Sequence, residues 1–204
     1  MTGWQADSPQ IVLASASTAR RTLLDRAGLR FMTAVAAIDE TEVKRSALAM
    51  SASPDDTAML LADLKAERVM ARYPDALVVG GDQLLVCEGR WFDKPADLED
   101  ARAQLLALRG RTHELVTAVT CWRGGRAVWH HIARPRLTMR MFSEDFLAAY
   151  LLAEGDVLTG TVGAYRFEGC GVQLFESVIG EHAAILGLPL LPLLGFLRQH
   201  GVLL

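Results

Sequence analysis

The chain has 204 residues, of which 51% are hydrophobic and 22% are charged, and its formal net charge is −3. This composition is typical of a globular protein and excludes a disordered or fibrous chain. The acidic balance also argues against sequence-independent binding to nucleic acid, which needs a basic surface. The length predicts one domain, residues 1–204.

The cysteines and the hydropathy of the sequence predict the cellular compartment of the protein. Cys87, Cys121 and Cys170 are widely spaced, so neither a disulfide framework nor a structural zinc site is expected. The first ten residues are polar, unlike a signal peptide, and there is no apolar run of about 18 residues that would span a membrane. These features predict a cytoplasmic protein without a membrane or nucleic-acid partner.

Strand-like and helix-like segments alternate along the whole chain. Short apolar or alternating runs predict strands at residues 10–14, 31–37, 76–86, 112–122, 127–133, 137–142 and 172–178. Capping residues and apolar stripes predict helices at residues 19–27, 54–72, 97–108, 143–153 and 188–200. Residues 38–42 are predicted to form an acidic loop. The order favours an α/β domain built around a mixed sheet.

A hydroxyl-rich turn joins the first predicted strand to the first predicted helix. Ser15 and Ser17 lie where that helix exposes free backbone N–H groups, and Arg20 and Arg21 follow within one turn. Backbone donors, the helix dipole and guanidinium groups together favour phosphate, so this pattern is typical of an anion site. The alternative is an ordinary helix N-cap with surface arginines.

Asp82 interrupts the most strand-like segment of the chain. It follows Gly80 and Gly81 in an otherwise apolar run, and a buried carboxylate needs cations, donors or water as partners. A carboxylate held in this way suits a metal ligand or a general base. The alternative is a hairpin turn at residues 80–82 that exposes Asp82.

Three further charged positions are candidates for a site. Lys65 falls within the apolar stripe of the second predicted helix, so its amine either reaches water or projects into a cleft and meets an anion. Asp39, Glu40 and Glu42 form an acidic cluster that suits Mg²⁺ or Mn²⁺, or else a solvated surface. Lys94 precedes a proline, which favours an extended conformation that can aim the amine outward.

Eight short motifs follow one another in a specific order. They are Leu13-Ala14-Ser15-Ala16-Ser17-x-x-Arg20-Arg21-x-x-Leu24, Ile38-Asp39-Glu40, Leu61-Ala62-x-x-Lys65-Ala66, Gly81-Asp82-Gln83, Lys94-Pro95, Arg109-Gly110-Arg111-Thr112-His113, Gly163-Ala164-Tyr165 and Gly187-Leu188-Pro189-Leu190. The series covers about residues 10 to 200 and resembles the Maf family of nucleotide pyrophosphatases. The resemblance implies an α/β fold with a twisted mixed sheet, flanking helices and a deep nucleotide-binding cleft.

The same resemblance implies an activity. It is that of a metal-dependent nucleoside triphosphate pyrophosphatase, which cleaves between the α and β phosphates of non-standard or modified nucleotides. The cofactor would be Mg²⁺ or Mn²⁺, and the products would be a nucleoside monophosphate and pyrophosphate. The resemblance also implies a homodimer.

The functional positions of the family map onto individual residues of this sequence. The implied catalytic residues are Asp82, Lys65, Lys94 and Arg20. The implied metal ligands are Glu40 and Asp82, and the implied substrate-binding residues are Ser15, Ser17, Ala19, Gln83 and Glu168. Arg20 and the two lysines would neutralise the triphosphate, while Asp82 would align or deprotonate the attacking water.

Three of these positions correspond to those that set base preference in the family. Gln83 and Glu168 resemble the branch that prefers 7-methyl-GTP, whereas Ala19 does not, and residues 112–118 resemble the branch that prefers dTTP and UTP. A carboxylate such as Glu168 could accept hydrogen bonds from a guanine edge. We therefore favour a modified purine triphosphate, with a pyrimidine triphosphate as the alternative.

Two functions of other classes stay open on the sequence alone. One is a non-catalytic nucleotide-binding regulator of cell division, and the other is a phosphatase that acts on sugar or nucleoside monophosphates. The set of Arg20, Lys65, Asp82 and Lys94 favours turnover over the regulator. Pyrophosphate as the product would separate the pyrophosphatase from the phosphatase.

Overall fold

The structure, a computed structural model, describes residues 3–204. Its strands are β1 (Ile11–Ala14), β2 (Phe31–Thr33), β3 (Leu77–Cys87), β4 (Arg90–Phe92), β5 (Thr112–Arg123), β6 (Arg126–Ala133), β7 (Arg136–Met139) and β8 (Phe175–Ile179). Its α-helices are α1 (Thr18–Arg26), α2 (Glu40–Ala49), α3 (Pro54–Met70), α4 (Leu98–Leu108), α5 (Glu144–Glu154), α6 (His182–Ile185) and α7 (Leu190–Gln199). None of the helices within residues 3–204 has the length and apolar composition needed to cross a membrane.

The eight strands belong to one open mixed sheet. Its order is β2-β1-β3-β5-β7-β8, with β4 paired to β3 and β6 paired to β5. β1 lies parallel to β2 and to β3, whereas the pairs β3–β4, β5–β6, β5–β7 and β7–β8 are antiparallel. The α/β class and the mixed sheet that the sequence predicts are therefore confirmed.

The described residues divide into two compact units. The first unit runs up to Gln83 and also holds Thr117–Ala133 and His182–Leu204, and the second unit consists of Leu84–Val116 and Arg134–Glu181. The assignment of one domain to residues 1–204 stays a prediction, and residues 1 and 2 of that domain lie outside the described residues.

β1 is buried on both faces within the first unit. One face contributes Ile11 and Leu13 to a core cluster with apolar residues of α7. The other face contributes Val12 and Ala14 to a second cluster with apolar residues of α3. A continuous apolar run is typical of a parallel strand that is covered on both sides, which is why residues 10–14 are a clear strand signal.

A buried group of rings lies in the core of the second unit. Nε2 of His113 lies 2.9 Å from the hydroxyl oxygen of Tyr165, and both rings pack against Phe175 at the start of β8. Tyr165 follows Gly163, which has a φ of 76°. A Cβ on Gly163 would overlap the side chain of Leu85, so this turn requires glycine.

The predicted acidic loop at residues 38–42 is wrong. Asp39 is the N-cap of α2, and its Oδ1 accepts a 2.9 Å hydrogen bond from the backbone N–H of Glu42. Glu40 and Glu42 lie in the first turn, where carboxylates interact favourably with the helix dipole. The acidic residues that were interpreted as a loop therefore form the start of a helix.

Other boundaries also differ from the expectations, and the predicted strand at residues 137–142 ends at Met139. β2 ends at Thr33, so the predicted strand at residues 31–37 is too long. The predicted strand at residues 172–178 begins only at Phe175, because Cys170–Leu174 forms a 3₁₀ turn. The last helix begins at Leu190 after an N-cap proline, and the short helix α6 that precedes it was not predicted.

Candidate active site

A close approach between β3 and α3 brings the central charges of the first unit together. Alternate residues of a strand share one face, so Gly80 and Asp82 point to the same side. A side chain at Gly80 would overlap the backbone carbonyl oxygen of Ala62 in α3. Because glycine allows this approach, the next turn of α3 brings Lys65 to Asp82.

Lys65 joins two carboxylates. Its Nζ lies 2.5 Å from Oδ1 of Asp82 and 2.9 Å from Oε1 of Glu40. Lys65 and Asp82 are 8% and 4% exposed, whereas the Glu40 side chain is 44% exposed. The alternatives in which Asp82 is exposed and Lys65 reaches water are therefore wrong. A buried carboxylate is tolerated here because an ammonium group contacts it.

The second oxygen of the Asp82 carboxylate is also buried. Within residues 3–204, no hydrogen-bond donor contacts Oδ2. Leaving a buried acceptor unsatisfied costs free energy, and such atoms are common where a site takes up a ligand, an ion or water. Oδ2 is thus the atom of this cluster that is available to a further partner.

The three acidic residues at the start of α2 have different partners. Asp39 caps the helix, and Glu42 pairs with Arg45 one turn later. Glu40, the first residue of the helix, pairs with Lys65. The interpretation of all three acids as a solvated surface is therefore wrong for Glu40.

Arg20 lies on α1 and is 8% exposed. Its Nε donates a 2.7 Å hydrogen bond to the carbonyl oxygen of Gly187, and its Nη1 donates a 3.2 Å hydrogen bond to Oγ of Ser15. Burial lowers the pKa of Arg20, while the charges of Asp82 and Glu40 act in the opposite direction. Arg20 therefore shares its electrostatic environment with the Lys65 cluster, and it is not the surface arginine of the alternative interpretation.

Ser15 and Ser17 organise the start of α1. Ser17 is the N-cap, and its Oγ accepts a 3.3 Å hydrogen bond from the backbone N–H of Arg20. Oγ of Ser15 accepts a 3.1 Å hydrogen bond from the N–H of Ser17. The N-cap prediction is confirmed for Ser17. The first-turn amides of Thr18 and Ala19 have no intrahelical acceptor, as at the start of any α-helix, and an anion can use them.

Gln83 points to the opposite face of β3 from Asp82, because neighbouring strand residues alternate. Its side-chain nitrogen donates to Oγ1 of Thr117 at 2.8 Å and to the carbonyl oxygens of Ala184 and Ile185 at 3.0 and 3.2 Å. No motif or spacing in the sequence singles out Thr117. A buried threonine in an apolar strand is a weak signal, and its partners are more than 30 residues away in the chain.

The remaining candidates lie elsewhere in their units. Ala19 is the second residue of α1 and is partly exposed. Lys94 is exposed on the segment between β4 and α4 in the second unit. Glu168 is also exposed in the second unit, and its Oε1 lies 3.8 Å from Nε of Arg166. The expected roles of all three residues stay predictions.

Similarity to known proteins extends over nearly the whole chain. A family model described as Maf-like protein matches residues 10–200. A protein of Granulibacter bethesdensis named nucleoside triphosphate pyrophosphatase is 58% identical over 194 residues, which is 95% of this chain and 98% of that protein. A protein of Paramagnetospirillum magneticum with the same name is 55% identical over 192 residues, 94% of this chain and 99% of that protein.

A relative with a more specific name is also similar. The 7-methyl-GTP pyrophosphatase of Rhizobium etli is 46% identical over 196 residues, which is 96% of this chain and 98% of that protein. The match to the family model and the identities to these relatives all run from end to end rather than over one motif. The chain therefore belongs to the Maf-like protein family.

Proposed function

We propose that the chain is a metal-dependent nucleoside triphosphate pyrophosphatase that hydrolyses the bond between the α and β phosphates. The observation that carries this proposal is the buried Asp82 carboxylate, held by Lys65 through one oxygen while the other has no donor among the described residues. The names of the relatives from Granulibacter bethesdensis and Paramagnetospirillum magneticum support the same activity.

Cations of the first unit account for binding of a highly anionic triphosphate. Arg20 and Lys65 are held by Ser15, Gly187 and the carboxylates, so their charges are fixed in place before substrate binds. The free amides at the start of α1 add donors and the positive end of a helix dipole. We assign a further phosphate contact to Lys94, on the strength of the family resemblance.

The chemical step needs little from the protein beyond positioning and charge stabilisation. The oxygen of a water molecule bonds to the α phosphorus, and the bond from that phosphorus to the α–β bridging oxygen breaks. Pyrophosphate leaves with the electron pair, and the nucleoside monophosphate is the second product. Asp82 aligns the attacking water or takes its proton, while Lys65 holds the carboxylate in position through Oδ1.

The residues present fit a divalent cation of the Mg²⁺ type. Glu40 and Asp82 meet at the same ammonium, and Asp82 has a buried oxygen to spare. In the described part of the chain no group of three or more His, Cys, Asp or Glu side chains is arranged to hold a metal ion. Mg²⁺ commonly binds through one or two carboxylates together with substrate phosphates and water, which matches this pair. When bound, the ion polarises phosphoryl oxygens and offsets their charge.

We also propose a modified purine triphosphate as the preferred substrate. The 7-methyl-GTP pyrophosphatase of Rhizobium etli is among the relatives, and Glu168 offers an exposed carboxylate for a methylated, cationic purine. The alternative is a substrate of the dTTP and UTP type. We further propose that the enzyme is a homodimer of the cytoplasm, as the family resemblance implies, and sedimentation of the purified chain tests the dimer.

A substrate panel tests the proposed function. The purified chain is incubated with 7-methyl-GTP, GTP, dTTP, UTP and 5-methyl-UTP in the presence of Mn²⁺ or Mg²⁺, and pyrophosphate is measured. We expect pyrophosphate from at least one of them, with 7-methyl-GTP the best substrate. A pyrimidine as the best substrate would contradict the role given to Glu168. Release from none of them would favour a nucleotide-binding regulator, and orthophosphate as the first product would favour a phosphatase.

A further inference from the structure

The amide of Gln83 has a fixed orientation within the first unit. Its nitrogen faces three oxygens, which are Oγ1 of Thr117 and the carbonyl oxygens of Ala184 and Ile185. Carbonyl oxygens can only accept hydrogen bonds, so they favour the orientation in which the NH₂ end of the amide points towards them. The reversed amide would place its own oxygen against the two carbonyl oxygens, with no hydrogen between them.

Thr117 removes the remaining ambiguity. Thr117 is 0% exposed, and its hydroxyl donates a 3.0 Å hydrogen bond to the carbonyl oxygen of Ala184. Because that proton is used, Oγ1 is an acceptor towards Gln83 and reinforces the same amide orientation. Two donors of Gln83 thus serve three acceptors of the protein, and no N–H is left for a ligand.

The oxygen of the same amide is available. Gln83 is partly exposed, and no donor among the described residues contacts its Oε1. Gln83 lies on the same face of β3 as Gly81, and a Cβ on Gly81 would lie 3.5 Å from Nε of Arg20. A nucleotide whose phosphates reach Arg20 therefore has its nucleoside within reach of Gln83. What the chain offers at this position is an acceptor and not a donor.

We propose that Thr117 is a positioning residue that makes Gln83 an acceptor, so that the site selects bases presenting a ring N–H to it. This inference rests on the proposed function and deepens it by naming the chemical feature of the base that is read. Uracil and hypoxanthine each carry one such ring donor, at N3 and N1 respectively. Methylation of that nitrogen removes the donor and leaves Oε1 unsatisfied in the complex, which is costly.

The test compares each parent base with its methylated form. The pairs are UTP with 3-methyl-UTP and ITP with 1-methyl-ITP, assayed for kcat/KM. The α,β-methylene analogues of the same pairs give binding constants by calorimetry, without turnover. We expect methylation to lower kcat/KM and affinity by at least about tenfold for the pair that the enzyme accepts.

Variants separate the hydrogen bond from a steric effect of the methyl group. In Thr117→Val the Gln83 amide loses the acceptor that favours its orientation. The kcat/KM of the parent nucleotide should then exceed that of its methylated form by no more than about threefold. Thr117→Ser should restore the ratio. Thr120→Val is the matched control, because Thr120 is a buried threonine of the same strand whose hydroxyl donates to the carbonyl oxygen of Trp129. Its ratio should equal that of the wild type, and melting curves establish that each variant folds.

Gln83→Leu gives a second measurement should Thr117→Val fail to fold. This variant should lower kcat/KM and affinity for the parent nucleotide by at least about tenfold, and it should leave both values unchanged for the methylated analogue. An unchanged ratio in Thr117→Val, or equal losses for parent and analogue in Gln83→Leu, would overturn the inference while leaving the proposed function intact. Failure of the wild type to bind or hydrolyse any of the four nucleotides would overturn the inference, and the proposed function falls only if 7-methyl-GTP, GTP and dTTP also yield no pyrophosphate.

Discussion

Nζ of Lys65 lies 2.5 Å from Oδ1 of Asp82, and both residues are almost completely buried. Taking two charges out of water costs free energy, which their attraction offsets only while both partners are present. Asp82 is also the residue proposed to align the attacking water or take its proton. The pair therefore couples the stability of the first unit to the charge of its reactive carboxylate.

Lys65→Met should destabilise the protein because it leaves a buried carboxylate without its cation. We expect the free energy of unfolding to fall by about 3 kcal/mol, measured by urea denaturation. Adding Asp82→Asn to this variant should recover most of that loss, since no charge then stays buried. Arg68→Met, an exposed change on the same helix, is the control and should have little effect. Equal urea midpoints for Lys65→Met and the wild type would contradict the proposed energetic role of the pair.

Gly80→Ala should disrupt the contact that brings Lys65 to Asp82. The new Cβ would overlap the backbone oxygen of Ala62, and α3 or β3 would have to shift. We expect a loss of about 2 kcal/mol in the free energy of unfolding, together with a loss of activity. Gly195→Ala is the matched control, because nothing lies within 4 Å of its Cβ position in α7. That change should be neutral or stabilise the helix by up to about 1 kcal/mol.

The buried His113 should make stability depend on pH. Burial lowers the pKa of His113 to about 4, from an ordinary value of 6.5. Between these values the unfolded chain binds a proton that the folded chain does not, so this contribution to stability is lost as the pH falls from 6.5 to 4. The lowered pKa corresponds to about 3 kcal/mol. In urea titrations the difference in unfolding free energy between the wild type and His113→Gln should shrink as the pH falls from 6.5 to 4.

Cys170 should react slowly for an exposed thiol. Its Sγ donates a 3.1 Å hydrogen bond to Oε1 of Glu154, and this contact raises the pKa of the thiol. Because the thiolate is the reactive form, alkylation by iodoacetamide at pH 8 should be slow in the wild type and several-fold faster in Glu154→Gln. Peptide mapping separates Cys170 from the buried Cys87 and Cys121. A rate unchanged from wild type in Glu154→Gln would contradict the hydrogen bond as the cause.

The sequence predicts those parts of the site that break a local rule. Asp82 stands out because a carboxylate interrupts an apolar strand, and Lys65 because a cation falls in an apolar helical stripe. Each residue would be an unpaired buried charge without the other, and together they form a buried ion pair. Paired anomalies of this kind can be recognised before any coordinates are available.

Other parts depend on contacts that no local pattern encodes. α2 was missed because its first acids are as typical of a solvated loop as of a helix start, and only the Asp39 cap distinguishes the two. Thr117 was missed because its role depends on Gln83 and Ala184, which are 34 and 67 residues away. Tertiary hydrogen bonds over such separations leave no periodic signal in the chain.

Identification of the products formed by the wild type and by Asp82→Asn is the most direct test of the proposed reaction. With the best triphosphate and saturating Mn²⁺, the wild type should release pyrophosphate and nucleoside monophosphate in equal amounts. Asp82→Asn should be slower by at least about a hundredfold. Orthophosphate as the first product, or full activity of Asp82→Asn under the same conditions, would contradict the account.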